Sequence, residues 1–134
     1  MQSKLRSNSV SSVIMAAKYP PPNYGTTIWF EIIRKSSIKE ALNIIYQNVG
    51  IRHSVAELGS GGLKVIYKYV KVYYKYHRAT SKNVKSICHI SISQSIIGLL
   101  KDSVFIWIAV LNGHVPVIQL HGSALHEVLE NAPY

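Results

Sequence analysis

Apolar residues recur along this chain with two periods, and the period changes at turn-like clusters. Thr26–Ile33 (TTIWFEII) is aromatic and branched with little polarity, which predicts a first, central strand. Arg34-Lys35-Ser36 is a short connection, and Ser37-Ile38-Lys39-Glu40 then has the S-x-x-E pattern of a capping box. Ile38, Ala41, Leu42, Ile45 and Val49 follow at helical spacing until Gly50 supplies a stop. Arg52-His53-Ser54 reads as a loop and Val55–Leu58 as a short second strand. Gly59-Ser60-Gly61-Gly62 turns the chain into a second helix over Leu63–His77, with Leu63, Ile66, Tyr67, Val70, Tyr73 and Tyr74 expected on its buried face. From Val84 to Ile92 the period becomes two: Val84, Cys88, Ile90 and Ile92 share one parity, Lys85, His89, Ser91 and Ser93 the other. That is the pattern of a half-buried third strand. Lys101-Asp102-Ser103 reads as a turn and Val104–Leu111 (VFIWIAVL) as a fourth strand, apolar on both faces. Val115–Leu120 fits either another short strand or an extended segment over the core. Ser123–Asn131 fits a final helix with Leu125, Val128 and Leu129 on one side.

The second helix is where pattern and composition compete. Lysine returns at positions 64, 68, 71 and 75. On a helix, at 100° per residue, these four lie within about 60° of one another; on a strand they would split two to each face. Val65, Ile66, Tyr67, Tyr69, Val70, Val72, Tyr73 and Tyr74 are strand-loving types, but propensity is the weaker prior, so the spacing decides for helix.

Charge sharpens this picture. All fifteen Lys and Arg lie between Lys4 and Lys101, and the later charges are Asp102, Glu127 and Glu130. With Glu31, Glu40 and Glu57 subtracted, the first 101 residues carry +12 and the last 33 carry −3. A basic body with a weakly acidic tail points to a polyanionic partner, nucleic acid first and an anionic membrane surface second. The 134 residues suffice for one domain with its own core, and the single Cys88 excludes a disulfide framework. No apolar run is long enough to span a bilayer, since Ile96–Leu111 is broken by Lys101, Asp102 and Ser103. Residues 1–25 are serine-rich and free of acid, which predicts a disordered basic arm ended by Pro20-Pro21-Pro22; a mitochondrial transit peptide shares that acid-poor bias. The expected organisation is therefore an arm (1–25), a domain (26–112) and a C-terminal extension (113–134).

The candidate chemistry is binding rather than catalysis. Glycines 59, 61 and 62 before a helix let backbone amides approach a phosphate, although a structural turn would use them equally well. The lysine stripe has no acid at i+3 or i+4, so it repels itself unless an anion is nearby. Tyr69 and Tyr76, interleaved with the lysines, could stack on unpaired bases or pack in a core or dimer interface, and Trp29 and Trp107 are expected in the core. The six histidines have no metal-ligand spacing, the carboxylates are scattered, and no nucleophile sits beside a base in a recognised motif. Neither an enzyme, a metal site nor a cofactor is expected.

The connection R-K-S-S-I-K-E-A-L opening helix one, the glycine turn into a basic second helix, and the paired segments V-K-S-I-C-H-I-S-I and K-D-S-V-F-I-W-I-A-V resemble the Alba superfamily over about Thr26 to Leu111. The resemblance implies an α/β, two-layer fold of order β-α-β-α-β-β, with two helices on a mixed four-stranded sheet and the C-terminal extension added to it. It implies RNA or DNA as ligand and a homodimer or a heterodimer with a related chain. A non-catalytic subunit of RNase P/MRP type is one alternative, and a protein-interaction or membrane-surface module is another. The nucleic-acid surface would comprise Lys35, Ser36 and Lys39, the turn Gly59, Ser60, Gly61 and Gly62, and Lys101 on the hairpin between strands three and four. The stripe Lys64, Lys68, Lys71 and Lys75, continued by Arg78, Lys82 and Lys85, would widen the positive field. The exposed tyrosines favour RNA, and the expected location is cytoplasmic, nuclear or, from the acid-poor start, mitochondrial.

Overall fold

Five apolar residues, VIMAA, form the strand around which the sheet is assembled. In a computed structural model that describes residues 12–21, 23, 25–51, 62–93 and 95–121, these residues are β1 (Val13–Ala17). The chain continues through α1 (Gly25–Lys35), α2 (Ile38–Leu42), β2 (Ile44–Asn48), α3 (Leu63–Ser81), β3 (Ile87–Ile92), α4 (Ile96–Leu111) and β4 (Val115–Leu120). The α/β class and the four-stranded sheet agree with the sequence reading. The sheet is parallel throughout rather than mixed, in the order β2-β1-β3-β4, with Val13 opposite both Ile44 and Ile87, and Ile87 opposite Val115.

This topology dictates where the helices lie. Parallel strands need crossover helices, and those crossovers are right-handed. The chain moves from β1 outward to β2, then back across β1 to β3 and on to β4, so the first crossover falls on one face and the next two on the other. Packing agrees. Ile14 and Ala16 of β1 and Cys88 and Ile90 of β3 meet Tyr76 of α3 and Phe105 and Ala109 of α4. Met15 and Ala17, of opposite parity, meet Phe30 of α1 together with Tyr19.

Several expected elements change identity. Val13–Ala17 lies inside the stretch expected to be a disordered arm; a short run that is apolar on both faces is what a central parallel strand looks like, and its serine-rich context hid it. Thr26–Ile33 is helical, not a strand. Thr27 and Phe30 point inward at i, i+3 spacing, and Arg34 and Lys35 reach back to Glu31 at i+3 and i+4. The first predicted helix ends early, at Asn43 in the left-handed region (φ 46°), and Ser37 makes no side-chain cap. Ile44 to Asn48 leave it to pair with β1, because a branched, aromatic run gains more as an edge strand against Val13–Ala17. Val104–Leu111 is not a strand, and Lys101-Asp102-Ser103 is no turn. All belong to the 16-residue α4, whose Ser95 caps it by accepting from the Gly98 amide. An antiparallel hairpin of β3 with that segment is replaced by a parallel β3-α4-β4 unit, so the β-α-β-α-β-β order does not hold. Of the two options for Val115–Leu120, the strand is found. The predicted strand 55–58 and helix 123–131 lie outside the described residues.

The second helix stands, and the third strand stands from Ile87, three residues later than expected, leaving Val84 outside it and exposed. α3 runs four residues past the predicted end, and Cys88 and Ile90 are buried at the expected parity, burial pushing the Cys88 thiol pKa up. His114 ties the amino ends of β3 and β4 to the end of α3. Its Nδ1 accepts from the Ser86 amide (3.0 Å), so Nε2 carries the proton and donates to the Thr80 carbonyl (2.9 Å). Both partners are buried, so truncation strands the Ser86 amide, while the Thr80 carbonyl keeps only the Asn83 amide at 3.1 Å. His114→Ala should lower the unfolding free energy by about 3 kcal/mol in urea titration, with an unchanged m-value.

Candidate nucleic-acid interface

On α3 the buried side is set by aromatic packing. Tyr73 and Tyr76 present their rings edge-on to Phe105 of α4, at centroid distances of 4.9 and 5.2 Å, and Thr80 below them is fully buried. These contacts turn the helix away from the face expected to be buried. Of that predicted set only Tyr73 points inward, while Leu63, Ile66, Tyr67, Val70 and Tyr74 are all more than half exposed. Lys64, Lys68, Lys71 and Lys75 form an exposed row beside this apolar stripe, extended at the helix end by Arg78, Lys82 and Lys85, all exposed. No ion pair among the described residues involves any of them. Two acids that do form ion pairs among the described residues, Glu31 and Asp102, serve other cations.

The other predicted contacts are not gathered with this row. Lys35 closes α1, on the opposite face of the sheet, and shares Glu31 with Arg34. The bidentate guanidinium of Arg34 is the main reason the Glu31 carboxyl is held down at about 2. Ser36 donates to the Ile33 carbonyl (2.7 Å), which closes the end of α1, and Lys39 is exposed on α2. Gly62 precedes α3 with φ 112°, a backbone region open to glycine, and its carbonyl accepts from the Val65 and Ile66 amides. Gly59, Ser60 and Gly61 lie outside the described residues. Lys101, expected on a hairpin, sits in α4, pairs with Asp102 at 3.0 Å and covers the Tyr69 ring at 5.3 Å. Tyr76 is fully buried and Tyr69 is stacked on Tyr73, so the accessible rings are Tyr67 and Tyr74 instead. Trp29 and Trp107, expected in the core, are 40% and 65% exposed.

A second region escaped the sequence reading. Between β1 and β3 the order of the sheet reverses, and the carboxyl ends of these strands diverge into a crevice, where ligands settle in open α/β sheets. Here lies a cavity of about 150 Å³ lined by Lys18, Thr26, Phe30, Ser91, Ser93 and His121, with Ile92 at its edge. Ser93 organises its rim. Its amide donates to Asp102 (2.7 Å), and Lys18 and Lys101 donate to its Oγ at 3.5 and 3.4 Å. Gly98 keeps the first turn of α4 close to this rim, since a Cβ there would lie 2.4 Å from that of Ser93. The signal in the sequence is Ser91, Ser93 and Ser95 between an apolar strand and I-I-G. A larger groove of about 730 Å³ runs between α1 and the β2 edge, and in its charged lining the single carboxylate of Glu31 is shared by Arg34 and Lys35.

Fold and sites together define an open parallel α/β domain with a basic, partly apolar helix face and a polar crevice. Comparisons with family models, curated proteins and solved structures give no match to this chain. Among the described residues, no helix is long and apolar enough to cross a membrane.

The buried imidazoles set a pH limit on this domain. Burial lowers the pKa of both His89 and His121 below 6.5, so each is neutral when folded and binds a proton more readily in the unfolded chain. Their contribution is complete above pH 6.5 and is lost as pH falls through the depressed folded values. The urea midpoint should therefore fall between about pH 8 and about pH 5, and by less in a His89→Gln/His121→Gln variant.

Proposed function

We propose that this chain binds nucleic acid, RNA before DNA, through the exposed face of α3. The observation that carries the reading is the exposed row Lys64, Lys68, Lys71 and Lys75, without an ion pair among the described residues, lying beside two exposed tyrosines, Tyr67 and Tyr74. The lysines are spaced to follow a phosphate backbone, which supplies affinity without sequence readout. The tyrosines offer stacking surfaces to unpaired bases, each worth about 1–3 kcal/mol. Changing the four lysines to alanine should weaken single-stranded RNA binding strongly at low salt and flatten the log–log salt slope by about 3. Tyr67→Ala/Tyr74→Ala should weaken single strands more than duplex in fluorescence anisotropy. Unaltered affinity in the four-lysine variant defeats the reading.

Leu63, Ile66 and Val70, exposed beside the same lysines, favour a second reading, an anionic membrane surface. Nuclease-treated protein that floats with phosphatidylserine vesicles but leaves RNA unbound would select it.

The expected dimer rests on α4. Ile97, Leu100, Val104, Trp107 and Leu111 recur at alternating steps of three and four, the spacing of a helix–helix seam, and four of them are at least 65% exposed. A second copy of the chain is the proposed occupant. Leu100→Glu/Trp107→Glu should turn a dimer into a monomer in sedimentation velocity, and a wild-type monomer at all concentrations would refute it.

A further inference from the structure

We infer that the groove between α1 and the outer edge of β2 takes an extended, acidic peptide segment of another protein, which joins the sheet as a further strand. α1 and α3 cover opposite faces of the sheet, so this site is separate from the basic face of α3 and independent of the function proposed for it. β2 ends the sheet, and among the described residues no strand pairs with its outer side. The pairing with β1 fixes which backbone groups that side carries. The Val13 amide donates to the Asn43 carbonyl and the Val49 amide to the Ala17 carbonyl, so the odd-numbered residues of this segment turn toward β1. The amides and carbonyls of Ile44, Tyr46 and Asn48 therefore point away from the sheet.

Exposed edges of this kind are ordinarily blunted by a charge or a proline. The opposite edge has that protection. The Val115 amide donates to the Ser86 carbonyl, so Pro116, which has no N–H, is the residue turned outward on β4. β2 (IIYQN) contains neither a charge nor a proline. Of the two edges, it is the one left open to pairing.

The groove of about 730 Å³ runs beside this row, and its lining suits the side chains of an added strand. Ile28 and Ile32, 46% and 63% exposed, form an apolar wall on α1. They stand four residues apart, about 6 Å along the helix. Side chains on one face of a strand repeat at about 6.6 Å, so peptide residues at i and i+2 match the two isoleucines. Tyr19 and Tyr46, their rings edge to face at 6.1 Å, line the groove between helix and strand. Charge says what lies beyond the apolar pair. Arg34 and Lys35 line the same groove, and Glu31 is the one carboxylate in that lining. Arg34 takes both Glu31 oxygens, at 2.8 and 2.6 Å, while Lys35 shares one of them at 3.3 Å with its side chain 71% exposed. Two cations on one carboxylate attract a further acid. The occupant is an extended segment with apolar residues at alternate positions and an aspartate or glutamate beyond them, held by main-chain hydrogen bonds to β2.

The test uses the full chain and a fluorescein-labelled peptide of alternating valine and threonine that ends in glutamates, titrated by fluorescence anisotropy. The peptide should bind saturably and slow hydrogen exchange of the Tyr46 and Asn48 amides. The same peptide N-methylated along its backbone, or ending in lysines, should bind about tenfold more weakly or worse. Ile32→Asn and, separately, Arg34→Gln/Lys35→Gln should each weaken the acidic peptide about tenfold, with circular dichroism confirming the fold. No saturable binding up to about 1 mM overturns the inference. So does equal binding of the N-methylated peptide, which would select an occupant that does not pair with the edge. Equal binding of the lysine peptide overturns the acidic assignment. A Tyr46 amide already protected in the free chain means that the chain fills its own edge, and it also overturns the inference. RNA plays no part in these readouts, so the result stands or falls apart from the α3 reading.

Discussion

β1 is the constraint on which the remaining structure depends. It is hydrogen-bonded on both edges and covered on both faces, with Ile14, Met15, Ala16 and Ala17 all essentially removed from water. A strand in that position can carry no polar side chain, and its backbone groups must all be paired by neighbours, because unpaired buried amides are costly. The two alanines let helices approach closely on either side, Phe30 from one and Tyr76 with Phe105 from the other. Once β1 is central, the chain must travel outward to β2 and return across it to β3, and that return creates both layers of helix and the crevice between.

The distribution of charge follows from this arrangement. α3 has room for seven exposed basic residues in and after it because the aromatic contact with α4 consumes only one side of the helix. The cations near the crevice are in a different situation. Lys101 is tied to a buried carboxylate and an aromatic ring, so it works as a fixed charge, whereas the α3 lysines are exposed to solvent.

How much of this was legible depends on the residue. The lysine spacing on α3 specified a helix against its own β-rich composition, since three- and four-residue steps have no meaning on a strand. The alternation of Cys88 and Ile90 with His89 and Ser91 marked β3 and even hinted that one face of it was polar. Thr26–Ile33 and Val104–Leu111 were misread for one reason: branched and aromatic helices that pack on a sheet look like strands when composition is weighed above spacing. β1 was missed because five residues are too few to display a period. The crevice was missed because it joins residues 18, 26, 93 and 121, which only the parallel crossovers bring together.

The sequence by itself determined the α/β class, the basic helix and the β3 pattern, because charge spacing and side-chain alternation are local quantities. Tertiary structure decided the strand order, the parallel sense, the face of α3 turned to solvent and the existence of the crevice. Those depend on which apolar surfaces find one another at long range, on the handedness of crossovers, and on aromatic contacts such as Tyr76 with Phe105 that no local period contains.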